Sequence, residues 1–147
     1  MDVIVGVDGS PQSVFALAWA CQRARTCGDL VRAVCAWSLS ASGEDWIVPP
    51  GEKAAGRLRA ERVLREAIEE VRRGQPAAEV EPLVVDGSAA QVLVDMSADA
   101  DMLVVGSRGR GGFAGLLLGS VSQQCVHHAR CPVTVIREPD GDHRSQR

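Results

Sequence analysis

Lysine is almost missing from this 147-residue chain: Lys53 is the only one, and arginine supplies the rest of the 16 basic residues. That scarcity excludes the P-loop, in which a Gly-Lys step followed by Ser or Thr holds the phosphates. A positive surplus is also lacking. Sixteen basic residues against 19 acidic ones leave a formal net charge of −3, which gives no reason to expect nucleic acid as a main partner. No apolar run reaches membrane length. The longest stretch without Asp, Glu, Lys or Arg, Gly111–Ala129, is interrupted by four glycines, two glutamines and two histidines, so no span is expected. The N-terminal residues do not show the basic-then-apolar order of a leader. Five cysteines, Cys21, Cys27, Cys35, Cys125 and Cys131, make an odd count. The expectation is a cytoplasmic protein with reduced thiols. Neither a G-x-S-x-G elbow nor a paired-carboxylate constellation is found.

What is present is an ordinary globular composition, with 46% hydrophobic and 24% charged residues, which disfavours disorder and coiled coil. The length suits one domain. Apolar runs and helical periodicities alternate along it. Val3–Val7 is a continuous β-branched run between Asp2 and Asp8, the pattern of a strand buried on both faces. Ser10-Pro11 reads as an N-cap with proline in the first turn, and Gly28 as the stop of that helix. Leu30–Trp37 reads as a strand, and Ser38–Gly51 as a long loop. Glu52–Arg73 carries Ala60, Val63, Leu64, Ala67, Ile68 and Val71 on one face of a helix, with Glu61–Arg65 and Glu69–Arg73 as solvated pairs. Val80–Val85 contains Pro82, which argues for a sheet edge. Ser88–Gln91 and Ser120–Gln123 match capping boxes that open two further helices. Met102–Val105 and Val133–Ile136 are the remaining strands.

The order β-α-β-α-β-α-β-α-β implies a parallel sheet with helices on both faces, and five such strands favour a doubly wound α/β fold. Ligands in such folds sit at the carboxyl ends of the strands, where the strand order reverses. Two segments occupy strand carboxyl ends, Asp8-Gly9-Ser10 and Gly106–Ser120. The second is glycine-rich, contains Arg108 and Arg110, and leads into a helix start. Glycines admit a close anion, the helix start offers free N–H groups, and the arginines add charge, so the segment reads as a phosphate cradle. A flexible glycine loop is the competing reading. Gly109-Arg110-Gly111-Gly112-Phe113-Ala114 fits G-x-G-x-x-A, but after the fourth strand rather than the first, so a dinucleotide site is not indicated.

The spacing Gly106-x2-Gly109-x9-Gly119-Ser120 resembles the nucleotide motif of the universal stress protein family, in its ATP-binding branch. Val3-Ile4-Val5-Gly6-Val7-Asp8-Gly9-Ser10 resembles that family's first strand and turn. Leu117-Leu118-Gly119-Ser120-Val121-Ser122 through Cys131-Pro132-Val133 resembles its last helix and strand. The resemblance covers nearly the whole chain. It implies a flavodoxin-like, Rossmann-like sheet of strand order 3-2-1-4-5, with residues 1–138 as the nucleotide-binding domain and 139–147 as a polar, disordered tail. It further implies that Asp8 lies near the nucleotide and its Mg²⁺ or Mn²⁺. Ala36 meets the adenine, and Val105, Gly106, Arg108 and Gly109 run along ribose and phosphates. Gly119, Ser120, Val121 and Ser122 hold the phosphates at the helix start.

The expected function is therefore that of an ATP-binding stress-response regulator, with slow hydrolysis or none because no dedicated general base stands near these residues. An ATPase or nucleotidyl-transferring enzyme, and a nucleotide-free interaction module, are the alternatives. Asp8 alternatively caps a turn with Ser10. Cys125, His128 and Cys131 lack an evident fourth ligand for zinc. The apolar tip Trp46-Ile47-Val48 either closes over the nucleotide or packs on the Glu52–Arg73 helix. The last strand is an uncharged β-branched edge, which suits antiparallel pairing with a second copy in a homodimer; members of the family commonly dimerise through this strand.

Overall fold

A strand apolar on both faces needs a cover on both faces, and a right-handed crossover helix supplies it each time the chain returns to the sheet. The computed structural model, which describes residues 1–38, 50–108 and 118–137, has this form. Its elements are β1 (Asp2–Gly6), α1 (Pro11–Cys27), β2 (Leu30–Trp37), α2 (Pro50–Gly74), β3 (Val80–Asp86), α3 (Ala89–Ser97), β4 (Met102–Gly106), α4 (Ser120–His128) and β5 (Val133–Ile136). The strands form one parallel sheet in the order β3-β2-β1-β4-β5. This is the flavodoxin-like architecture, and β3, with Pro82, is an edge as its proline requires. The expected lid at Trp46-Ile47-Val48, Gly109 of the glycine motif and the tail 139–147 lie outside the described residues.

Period-two alternation divides the central strand between two cores. Val3, Val5 and Val7 pack with α1 and α2, whereas Ile4 joins Val34, Leu93, Leu103 and Val105 under α3 and α4. The same rule puts Cys35 on the first face and Ala36 on the second. All five cysteines are free thiols. Arg32 on β2 bridges to Glu81 of β3 at 3.3 Å at the rim, and Glu61 reaches back along α2 to Arg57 at 3.4 Å instead of forward to Arg65.

The helix starts do not all follow the sequence patterns. Ser10 caps α1 as expected, its hydroxyl oxygen accepting from the Ser13 N–H at 3.2 Å. At α3, Ser88 holds the N-cap position but makes no side-chain cap bond, and the Gln91 side chain, which would reach back to Ser88, turns along the helix to Asp95 at 2.8 Å. At α4 the cap position belongs to Gly119, and Ser120 is the first helical residue with no cap bond. Both capping boxes are therefore absent. Among the described residues, neither helix start has a side-chain cap bond to its first N–H groups.

Candidate functional site

The order 3-2-1-4-5 reverses direction at β1, whose neighbours β2 and β4 carry their chains to opposite sides. The carboxyl ends of β1, β2 and β4 consequently bound a crevice, and the starts of α1, α3 and α4 rise around it. The crevice is a cleft of about 260 Å³. Nine of the ten candidate residues line it: Asp8, Ala36, Val105, Gly106, Arg108, Gly119, Ser120, Val121 and Ser122. Two larger grooves lie on the outer faces, one between α3 and α4 beside Asp95, His128 and Arg130, the other between α2 and β3. Neither stands at a strand carboxyl end.

The Asp8 turn is fixed by its own side chains. The Ser10 N–H donates to Asp8 Oδ1 at 2.9 Å, so the aspartate does close the turn. Gly9 takes a left-handed φ of 83° there, a conformation that glycine adopts without strain. The Asp8 N–H donates to the Ser13 hydroxyl at 3.3 Å, and that hydroxyl donates to the Ser10 carbonyl at 2.9 Å. Asp8 is half-buried and is the only acidic side chain among the described residues of the cleft. Its turn-closing role leaves it on the cleft wall. Mg²⁺ on a nucleotide needs only one or two carboxylates in addition to phosphate oxygens and waters, so this donor set fits such an ion.

The opposite wall is held by one carbonyl. Ser107, buried just after β4, accepts at its carbonyl from the Gly119 N–H at 2.6 Å and from the Ser122 hydroxyl at 2.9 Å. The Ser107 N–H donates to the Ile136 carbonyl at 2.8 Å, which ties the same point to β5. These bonds pin both ends of the connection from β4 to α4 and aim the α4 start at the cleft. Ser122 is thereby occupied within the fold, while Ser120 is exposed and uncapped. Gly106 permits the first turn of α1 to close on β4, since a Cβ there would stand 3.1 Å from the Gln12 carbonyl carbon. A side chain at Gly106 would displace backbone.

The lining of the cleft is part apolar and part polar. Val34, Ala36, Leu93, Val105 and Val121 are among its apolar side chains. Asp8, Ser10, Arg108 and Ser120 are among its polar ones, with Arg108 its only cationic side chain among the described residues. The positive ends of α1 and α4 face the cleft and favour an anion. Behind it Cys125 is fully buried, and burial pushes its thiol up to about 11. Burial raises Cys21 to about 11 and also raises Cys131, so neither is a thiolate at neutral pH. Among the described residues no three His, Cys, Asp or Glu side chains gather as a metal site, so Cys125, His128 and Cys131 do not form one.

Sequence reasoning had not singled out Gly6, Val7, Ser13, Val34, Ala89 and Leu93, all of which line the cleft. Ser13 lies three residues after the Ser10 cap, which is a usable signal for a hydroxyl near the turn. Leu93 carries none, because its place on the floor comes from how α3 packs on β1.

A family model for the universal stress protein family matches residues 1–137. A universal stress protein of Mycobacterium tuberculosis is 42% identical over 136 residues, a match that covers 92% of this chain and 45% of the relative. The chain thus spans about half the length of the curated relatives it matches. Among solved structures, a universal stress protein in complex with cAMP is 28% identical, with a TM-score of 0.67 over 93% of this chain and 96% of that one. The universal stress protein from Archaeoglobus fulgidus in complex with dAMP is 26% identical, with a TM-score of 0.64 over 92% and 97% of the two chains.

Proposed function

The chain belongs to the universal stress protein family, and from that premise we propose that it is a stress-response regulator that binds ATP with Mg²⁺ or Mn²⁺ in the cleft between β1 and β4. One observation carries the reading: apolar side chains, an uncapped helix start, Arg108 and Asp8 meet, among the described residues, in one cleft at the sheet's switch point. Related proteins bound to cAMP and dAMP support a nucleotide of the adenine class.

In this proposal the adenine lies against Ala36 and the apolar floor, and the ribose runs past Val105 and Gly106. Arg108 and Gly109 flank the phosphates. The N–H groups of Ser120, Val121 and Ser122 receive their oxygens beside Gly119, with the Ser120 hydroxyl as an added donor. Asp8 holds the metal that the phosphates bring. The metal supplies charge neutralisation between neighbouring phosphate oxygens. Hydrolysis is slow or absent, since Asp8 is the one candidate base among the described cleft residues and the metal occupies it. The nucleotide-binding unit is residues 1–138, followed by a polar tail over 139–147. Two copies pair through Val133–Ile136, and the protein works in the cytoplasm, where another protein reads its loaded and empty forms. No helix among the described residues is long and apolar enough to cross a membrane.

Mass spectrometry of nucleotide carried through purification, followed by calorimetry with ATP in the presence and absence of Mg²⁺, tests the proposal. Co-purified adenine nucleotide, or saturable binding strengthened by Mg²⁺, is the expected result. A folded protein that carries none and binds none at millimolar ATP refutes it and favours the interaction module. Turnover that disappears in Asp8→Ala favours the ATPase alternative.

A further inference from the structure

Gly6 ends β1 in the middle of the cleft floor, opposite Val34 in the β1–β2 register. Its backbone gives no reason for glycine. The described glycines with a left-handed φ are Gly9, Gly28 and Gly87, and Gly6 is not among them. Its missing side chain does matter to a neighbour. A Cβ on Gly6 would stand 2.8 Å from Leu93 Cδ1 and 3.6 Å from both Leu93 Cδ2 and Val105 Cγ1. Leu93 of α3 has moved into the space that any other residue at position 6 would fill. It is 3% exposed, is packed behind with Val105 and Cys125, and presents its remaining surface to the cleft. It is the bulkiest apolar side chain on that floor.

We infer that Leu93, seated over Gly6, sets the depth of the apolar floor and so determines how large a ring system the site accepts. The inference rests on the nucleotide reading above and specifies what selects the ring. A flat base slides between Leu93 and the strand ends, and its outer edge is measured by the leucine methyl groups. Shortening Leu93 deepens the floor by the volume of an isopropyl group. Adding a methyl at Gly6 acts in the opposite direction. The atom it meets is the far end of a flexible side chain that belongs to the core with Val105 and Cys125 and also lines the cleft.

The test measures MgATP and Mg-N6-benzyl-ATP binding to the wild type, Leu93→Ala and Gly6→Ala by calorimetry. The ratio of the two affinities does not depend on the folded fraction, so it reads cleft shape apart from stability. Leu93→Ala raises the preference for N6-benzyl-ATP over ATP about tenfold or more, the scale on which a hydrophobic pocket distinguishes added carbons. Gly6→Ala lowers both affinities, that for the benzyl analogue more. Where Leu93→Ala does not fold, Leu93→Val gives the same direction with a smaller change. A ratio that stays at the wild-type value in the folded Leu93 and Gly6 variants overturns the inference and leaves the nucleotide reading standing. A folded wild type that binds neither nucleotide overturns that reading, and the inference with it.

Discussion

Two serines open two helices here, and only Ser10 is engaged as a cap, so replacing each by alanine tests folding against the proposed binding. Ser10 is 6% exposed, and its hydroxyl oxygen takes the Ser13 N–H at 3.2 Å, where Ser13 is itself 4% exposed. Ser10→Ala removes the cap and leaves that N–H without water or a partner. Loss of an N-cap costs about 0.5–2 kcal/mol, and a buried unsatisfied donor pushes the figure to the upper half, about 1–2 kcal/mol. In a domain of this size each kcal/mol is worth about 2–4 °C, so the midpoint falls by about 2–8 °C. Ser120 is exposed, already helical and not bonded as a cap. Ser120→Ala therefore changes stability by no more than about 0.5 kcal/mol in either direction.

Binding reverses the order. A hydroxyl that donates to a charged phosphate is worth about 1.5–3 kcal/mol, so Ser120→Ala weakens MgATP about tenfold to a hundredfold. In Ser10→Ala the main-chain N–H to Asp8 Oδ1 persists, and affinity corrected for folded fraction stays within about threefold of wild type. Thermal melts by circular dichroism and calorimetry with MgATP read the two effects on the same samples. A Ser120→Ala protein that loses as much stability as Ser10→Ala, or binds MgATP like the wild type, refutes the assignment of the α4 start as the open phosphate site.

Gly119 has φ −74° and ψ 169°, a region open to any residue, so Gly119→Val should fold but place a side chain where the proposal puts phosphate, and calorimetry should find no ATP binding. Unchanged affinity with an intact dichroism spectrum would reject the site. Asp8→Asn keeps an oxygen for the Ser10 N–H but loses the charge, so the gain in ATP affinity on adding Mg²⁺ should shrink at least about tenfold; a gain equal to wild type counts against Asp8 as the metal ligand. Burial raises the folded thiols of Cys21 and Cys125 from 9.0 to about 11, so the stability they contribute is complete below pH 9 and declines from about pH 9 to 11, as the unfolded chain releases protons first. With no tyrosine and one lysine in the chain, few other groups titrate in that window, and urea midpoints that stay flat across it would contradict the burial of these thiols. Val135→Pro removes a main-chain donor from the edge strand β5, and sedimentation should show a dimeric wild type become monomeric; a monomeric wild type, or a folded dimeric variant, removes β5 as the interface.

Strand identities were legible because short β-branched runs stand between turn signals: β2 and β5 fall on the residues read from the sequence, Leu30–Trp37 and Val133–Ile136. The first strand was harder at its end. Val7 continues the β-branched run, yet the strand stops at Gly6, and the Val7 N–H still reaches the Val34 carbonyl at 2.8 Å. Composition could not mark that boundary because both cores accept valine at these positions. Pro82 placed β3 at the edge from one residue alone, since a missing donor has few places to go. The candidate site residues came from spacing and resemblance, and the fold brings nine of them to one cleft. Leu93 was beyond reach because its position depends on a contact made 87 residues away, at a glycine hidden inside a strand run.

The misread capping at α4 has a physical origin that also bears on function. Ser-Val-Ser-Gln after a glycine satisfies the local pattern for a cap at Ser120, and an isolated peptide would have no reason to choose otherwise. The fold supplies a competitor in the Ser107 carbonyl, fixed to β5 through the Ser107 N–H, which draws in both the Gly119 N–H and the Ser122 hydroxyl. The helix start stands one residue earlier than the local pattern places it. The cap position then falls on a residue with no side chain to offer, and Ser120 moves into the first turn with its hydroxyl unengaged as a cap. At α1 the N-cap N–H, that of Ser10, is likewise taken, by Asp8 Oδ1 at 2.9 Å, and the Ser10 hydroxyl oxygen accepts from the Ser13 N–H. The closed helix start carries a serine at the cap position, and the open one carries a glycine. An open start beside Arg108 and Asp8 leaves to a bound anion the bonds that a cap would have made.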